Sequence, residues 1–329
     1  MKGFIKRKVI FIGSLFLASL LFLTPFYYQT KAQGEKAGLS LSPLLYEVEA
    51  NPGDGFQKEA RVTNVTDKDM RVVVDVDDFV AGGEHGEPQI LVGQEKGASK
   101  WSLKAWMKVS ETTFDLKPKE GKYVYYTVII PIDAEPGGHY GVVRFTSQAP
   151  NITDSSGVGI AGSVGQLVLL KVSGPVKETG QIEEFYTKVA SQDKEAKKTR
   201  FFESSPVGFE IRFKNTGNVH YKPSGTIEIT SVFGGKTNLA IAGANVLPES
   251  IRRFEGTWQD TPFLGIFRAK AKMTYSNMVA ESPTITFFIM PWKIVLLTLV
   301  VLIAIGLLLW RQIHLSKKLK TLMNIKQKK

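Results

Sequence analysis

LKPKEGKYVYYTVIIPIDAEPGGHYGVVRF, Leu116 to Phe145, is the stretch from which the fold follows. Its opening, LKPKEGK, reads as a tight turn that feeds a long strand, Tyr123 to Ile130, which Pro131 ends. Strand alternation sends Tyr123 and Tyr125 to one face and Tyr126 to the other, so at least one set is expected to be buried. PIDAEPGG then reads as a loop, and Tyr140 to Ser147 as a second strand.

Working outward, the same texture continues on both sides. LSLSPLLYEVEA is followed by the turn NPGDG, then QKEARVTN, the turn VTDKD, and MRVVVDVDDF from Met70 to Phe79. In Glu59 to Asn64, Ala60 and Val62 face one way while Glu59, Arg61 and Thr63 face the other, the mark of a half-buried antiparallel strand. A Gly-rich loop, AGGEHGEPQ, and the segment WSLKAWMKVS lead into the opening stretch. Beyond it, Ser155 to Gly165 is loop-like and Gln166 to Val172 is the last strand of the unit. About seven strands with a turn every 8 to 12 residues predict an immunoglobulin-like β-sandwich.

After a boundary near Ser173 to Gly180 the pattern repeats. QIEEFYTKV is followed by a charged insert, Ser191 to Arg200, read as a solvated hairpin tip or short helix. Two strands then flank the turn NTGN, in which Gly217 and Asn218 can take positive φ cheaply. ESIRRFEGTW, FRAKAKMTYS and PTITFFIM complete a second all-β unit that runs into Pro291 with almost no linker.

Ile294 to Trp310, IVLLTLVVLIAIGLLLW, carries no charge. As a helix it is about 26 Å long, close to the roughly 30 Å of a bilayer core once Trp292 and Lys293 are added. Trp292 and Trp310 stand where indoles favour the headgroups, with Lys293 and Arg311 beside them. The tail from Arg311 holds seven basic residues and no acid, which predicts a cytoplasmic C-terminus with everything before Trp292 outside. Lys2, Lys6, Arg7 and Lys8 before the apolar run Val9 to Leu23, with Ala32 as a cleavage point, read as a secretory signal, an uncleaved anchor being the alternative. The expected layout is a signal peptide over 1–32, sandwiches over 33–174 and 175–290, a single transmembrane helix over 291–310 and a basic tail over 311–329.

The net charge of +11 belongs to these ends. They account for eleven of the 42 basic residues, leaving 31 against 31 acids, so no basic stripe for nucleic acid is expected on the folded part. The chain has no cysteine, so its domains stand without disulfides, as suits a bacterial envelope protein.

The order of signal, two Ig-like units, span and Lys-rich tail resembles the WxL-interacting proteins of bacterial cell surfaces. Leu116 to Phe145 resembles the end of that family's peptidoglycan-binding domain, and FKNTGNVHYKPSGTIEI, Phe213 to Ile229, resembles the core of its second domain. The resemblance implies a partner that is a surface or secreted protein, or peptidoglycan. The strand, Pro-Gly turn and strand in NPGDGFQKEARVTN are also similar to the N-terminal half of PapD-like chaperones, which implies assembly of exported subunits as the alternative.

No catalytic constellation stands out. His85, His139 and His220 fall in no metal-ligand spacing, and no nucleophile elbow or phosphate-binding loop occurs, so a non-enzymatic protein without cofactor or metal is expected. Asp75, Asp77 and Asp78 with Glu84 and Glu87 lack calcium-loop spacing and read as an exposed acidic strand end. His139 and Tyr140, placed on an exposed loop after Gly137 and Gly138, are the candidate ligand-binding pair, with Trp101 and Trp106 as stacking platforms against sandwich core as the alternative. Asn215, Gly217, Asn218, His220, Pro223 and Gly225 form a structural turn motif. Asn64 and Asn151 begin glycosylation sequons, which are discounted.

Overall fold

A computed structural model of the chain describes residues 38–94, 99–148, 162–190 and 197–326. The segment read as a secretory signal, the sequon at Asn151 and most of the charged insert lie outside the described residues. The first half forms β1 (Leu39–Ser42), β2 (Leu45–Ala50), β3 (Gly55–Asn64), β4 (Met70–Ala81), β5 (Pro88–Leu91), β6 (Met107–Val109), β7 (Thr113–Leu116), β8 (Gly121–Ile129), β9 (Gly137–Gln148) and β10 (Ser163–Val172). They build two sheets, β1-β3-β8-β6 and β2-β10-β9-β4-β5, with β7 on β4. Beyond Pro43 the chain changes sheets: β1 pairs antiparallel with β3, whereas β2 pairs parallel with β10. The alternation of β3 and β8 explains the core, in which Ala60, Val62, Val124, Tyr126 and Val128 face Val72, Val74, Phe145, Val168 and Leu170 of the other sheet.

The second half forms β11 (Gly180–Val189), β12 (Phe201–Phe202), β13 (Val207–Asn215), β14 (Ser224–Ser231), β15 (Lys236–Ile241), β16 (Ile251–Trp258), β17 (Gly265–Tyr275), β18 (Met278–Glu281) and β19 (Ile285–Ile289). Its sheets are β11-β13-β16 and β12-β19-β17-β14-β15, with β18 on β17. This core is aromatic: Phe209 meets Phe287 edge-on at 5.6 Å, and Phe287 stacks on Phe267 at 5.5 Å. Phe213 and Ile227 are fully buried within it. With no cysteine in the chain, such burial is what holds each sandwich.

A third apolar cluster belongs to neither interior. Phe79, Tyr140, Val142 and Leu169 of the first sandwich gather with Leu247 of the second. The reason is in β10, where Val168 and Leu170 enter the core while Leu167 and Leu169 face out, so the strand is apolar on both faces and its outer face is covered by the neighbouring sandwich.

Helix α1 runs from Trp292 to Lys326. Trp292–Leu315 is long and apolar enough to cross a membrane and none of it is buried against the sandwiches. The helix passes Trp310 and Arg311 without a break, so the basic segment begins as helix.

Candidate functional site

Between the sandwiches lies a groove. Its floor is the outer face of the β2-β10-β9-β4-β5 sheet, which presents Leu45, Phe79, Leu167 and Leu169; its roof is the β15–β16 connection with Val246 and Leu247. The space is about 300 Å³ and open to solvent on one side, with Glu47, Glu87, Lys222, Asn245, Ser250 and Arg252 supplying the polar rim. Arg252 donates to the Asn245 carbonyl at 2.7 Å, and burial lowers the pKa of its guanidinium. The apolar floor and the polar rim, in which Asn245 donates to Glu47, suit side chains of a polypeptide.

One wall of the groove is also a free strand edge. The Leu167 N–H donates to the Leu44 carbonyl and the Ser173 N–H to the Ala50 carbonyl, each at 2.9 Å. In a parallel pair alternate residues of a strand face the partner, so the N–H and C=O of Leu45, Glu47 and Glu49 point away from β10. Among the described residues they meet no backbone partner.

The groove keeps its shape because the joint is bonded on both sides. Glu84, in the β4–β5 loop, accepts from Arg212 Nε and Arg253 Nε, both at 2.8 Å, while its carbonyl accepts the Arg253 N–H at 2.7 Å. The Arg212 hydrogen bond, opposed by partial burial and reinforced by Arg253, holds the Glu84 carboxyl at about 2. Across the joint the Tyr140 hydroxyl accepts the His220 N–H at 3.0 Å and lies 3.2 Å from His220 Nδ1. Burial depresses His220 to about 4, so the ring is neutral at pH 7. Lys100 pairs with Glu249 at 2.6 Å, and the Gly138 N–H donates to the Asn218 carbonyl at 2.9 Å.

His139 and Tyr140 therefore do not stand on an exposed loop. Both belong to β9 and both are buried, Tyr140 in the joint and His139 under Trp106, with ring centroids 4.3 Å apart. The preceding glycines read as loop signals for a reason that the joint replaces: a Cβ on Gly137 would come within 2.8 Å of the Asn218 carbonyl oxygen, and one on Gly138 would overlap the Tyr140 hydroxyl. Trp101 borders a smaller recess with Tyr140 and Leu247, and its carbonyl accepts the Tyr140 N–H at 2.8 Å.

Two of the acids read as an exposed strand end are also placed otherwise, while Glu87 is exposed. Asp77 and Asp78 are buried: Asp78 accepts from the Ser102 hydroxyl and the Leu103 and Lys104 N–H groups, and Asp77 pairs with Arg144 and Lys104. They pin the segment that carries Trp101 and Trp106 to β4. Composition alone could not separate such paired acids from solvated ones.

In the turn motif, Asn215 is fully buried; its amide donates to the Val219 and Val246 carbonyls and its oxygen accepts the Gly217 N–H. Neither Gly217 nor Asn218 uses the positive φ open to it. A Cβ on Gly217 would lie 2.0 Å from the Lys177 carbonyl oxygen, so glycine is required there by close approach of the connecting segment. Gly225 is similarly pressed, since a Cβ there would lie 2.1 Å from the Lys272 carbonyl oxygen, and Pro223 is buried. At the start of α1, Trp292 Nε1 donates to Glu203 at 2.6 Å and Lys293 pairs with the same carboxylate at 2.9 Å. Trp310 stacks on His314 and Arg311 is exposed.

No protein-family model matches the sequence, and no curated protein matches it. Among solved structures the chain is similar to the class 5 fimbriae chaperone CfaA at 11% identity and a TM-score of 0.38, over 77% of this chain and 99% of that one. It is similar to the Pseudomonas aeruginosa CupB2 chaperone at 9% and 0.33, over 76% and 100%, and to the E. coli chaperone DraB at 14% and 0.33, over 74% and 97%. These neighbours are PapD-like chaperones.

Proposed function

We propose that the chain is a non-enzymatic, membrane-anchored binding protein that takes an extended segment of an exported or surface polypeptide along β2, with side chains of that segment entering the groove. The observation that carries this reading is the coincidence of the two features: Leu45 and Glu47 belong both to the free edge and to the lining of the apolar cavity. Strand addition supplies affinity through backbone bonds, and the pocket beside the edge supplies selection through alternate side chains. Exposed Leu44 and Leu45 extend the apolar approach. The sandwiches face outward from the membrane and the basic end of α1 lies in the cytoplasm, as the charge bias of the two ends favours.

A photo-crosslinking residue at Glu47 in the full chain, in native membranes, tests it. A discrete polypeptide captured at Glu47 and not at Thr226, on β14 of the second sandwich, supports the reading. Labelling spread over many unfolded exported chains supports assembly chaperoning through the same edge. A cell-wall polymer is a second reading because Tyr123 and Tyr125 stand exposed side by side on the outer face of β8, where sugar rings stack. Retention on peptidoglycan that is lost in Tyr123→Ala with Tyr125→Ala, and kept when the β2 edge is blocked, would favour that reading.

A further inference from the structure

The second sandwich has two ends of opposite character. Its large exposed apolar side chains gather where the chain leaves for α1: Phe201 before the β12–β13 connection, Val232 and Phe233 in the β14–β15 turn, and Phe263 and Leu264 in the β16–β17 loop. Register places these loops together. Ser231 pairs with Phe267, Gly265 with Ile289 and Phe201 with Phe288, and Ile289 is three residues from Trp292. At the opposite end, beside the β17–β18 turn, the exposed large apolar residues among those described are Met278 and Val279.

Phe233 is 81% exposed, Phe263 66% and Leu264 60%. Gly234 and Gly235, both at positive φ with open space where a Cβ would stand, carry Phe233 outward on a turn that none of the described residues covers. Isolated exposed apolar residues need no explanation, but two neighbouring loops and the adjoining β12 that present phenylalanine or leucine at one end form a patch. The patch continues into the anchor, since Trp292 and Lys293 are bonded to Glu203 of the same end.

We propose that this end of the second sandwich is a lipid-contacting surface: the tips at Phe233 and at Phe263 and Leu264 insert into the interfacial layer of the bilayer that α1 crosses. The occupant follows from continuity with the helix. An indole at Trp292 belongs at headgroup level, and loops that share its end of the sandwich are brought to that level without further folding. Interfacial apolar groups sink about 5–10 Å, within reach of a phenylalanine on a projecting turn. Two loop contacts besides the helix would fix the tilt of the sandwich, and with it the height and direction at which the groove is presented. The inference rests on α1 being in the membrane.

Because the chain has no cysteine, single cysteines can be labelled without background. The full chain is reconstituted in phosphatidylcholine vesicles with an environment-sensitive fluorophore at Phe233→Cys, Phe263→Cys, Met278→Cys or Val300→Cys, and a spin-labelled lipid is added as quencher. The expected result is a blue shift and loss of about half the emission at 233 and 263, as for groups in the interfacial layer, with no change at 278 and quenching by a deep label at 300. Quenching at 300 with none at 233 and 263 leaves the anchor standing and overturns the inference. No quenching at 300 means that the anchor reading has failed, and the inference with it. Shielding of 233 and 263 from aqueous iodide without quenching by lipid identifies a protein neighbour, a second copy included, and also overturns it. All four positions are exposed, and a variant that loses its β-sheet circular dichroism is replaced by Leu264→Cys.

Discussion

Two asparagines do the same work in the two sandwiches. Asn64 at the end of β3 donates to the Lys68, Leu116 and Lys117 carbonyls and accepts the Thr66 N–H, just as Asn215 at the end of β13 bridges Val219, Val246 and Gly217. Each satisfies buried backbone groups that a turn would otherwise leave without partners. Asn215→Ala should cost about 2–4 kcal/mol, as expected for several buried acceptors left unpaired, and Asn64→Ala a similar amount, both read from urea unfolding of the full chain in detergent. A loss below about 0.5 kcal/mol at both, the range of ordinary surface changes, would show that water replaces the amide. Sequence reading recognised the NTGN turn but took Asn64 for a discounted sequon. The bond to Leu116 spans 52 positions, and no local pattern records it. Where burial follows alternation the reading was direct: Tyr126 is buried while Tyr123 and Tyr125 are exposed, on opposite faces of β8.

At the scale of elements, β2 is the strand on which the functional reading turns. Its pairing with β10 is parallel and begins after the chain has changed sheets, so neither hydropathy nor turn residues announced that one edge would be open. The run LVLL in β10 did carry a signal, because a strand apolar on both faces requires cover on both. Glu47→Pro gives a direct test, since residue 47 turns its N–H away from β10: the substitution removes an outward donor and no ladder bond. Capture of the partner should fall about five- to tenfold, the worth of roughly one hydrogen bond, with circular dichroism unchanged and with melting no lower than that of Glu47→Ala, which also loses the bond from Asn245. Val48→Pro, which removes an inward donor, should instead destabilise the sheet. Equal capture by Glu47→Pro and the parent chain would move the site away from this edge.

The whole molecule is a pair of sandwiches whose joint is titratable, and the joint was the part least legible from the sequence, because every contact in it links residues far apart in the chain. Two pH windows follow. His220 is held near 4 by burial, with Glu47 and Glu178 drawing it upward and Lys171 pressing it down. Its folded value lies below the ordinary 6.5, so the unfolded chain binds the proton first, and stability present above pH 6.5 is lost as pH falls toward 4, by about 3 kcal/mol. Glu84 is held near 2 by Arg212 and Arg253. Its contribution is present above its ordinary value of 4.5 and is lost as pH falls toward 2, again by about 3 kcal/mol at most. Glu210, pushed up by burial but held below the usual carboxylate range by Lys188 and Tyr186, also contributes stability that is lost on acidification. Variants separate these contributions. Melting of the full chain in detergent, followed from pH 7.5 to 3, should show His220→Gln flattened between 6.5 and 4, because a neutral amide has no proton to gain and the backbone N–H to Tyr140 remains. Glu84→Gln should be less stable than the parent at pH 7 and lose part of the decline below 4.5, leaving the part due to Glu210. If His220→Gln retains the full slope between 6.5 and 4, the Tyr140–His220 contact is not what ties the stability of the joint to pH.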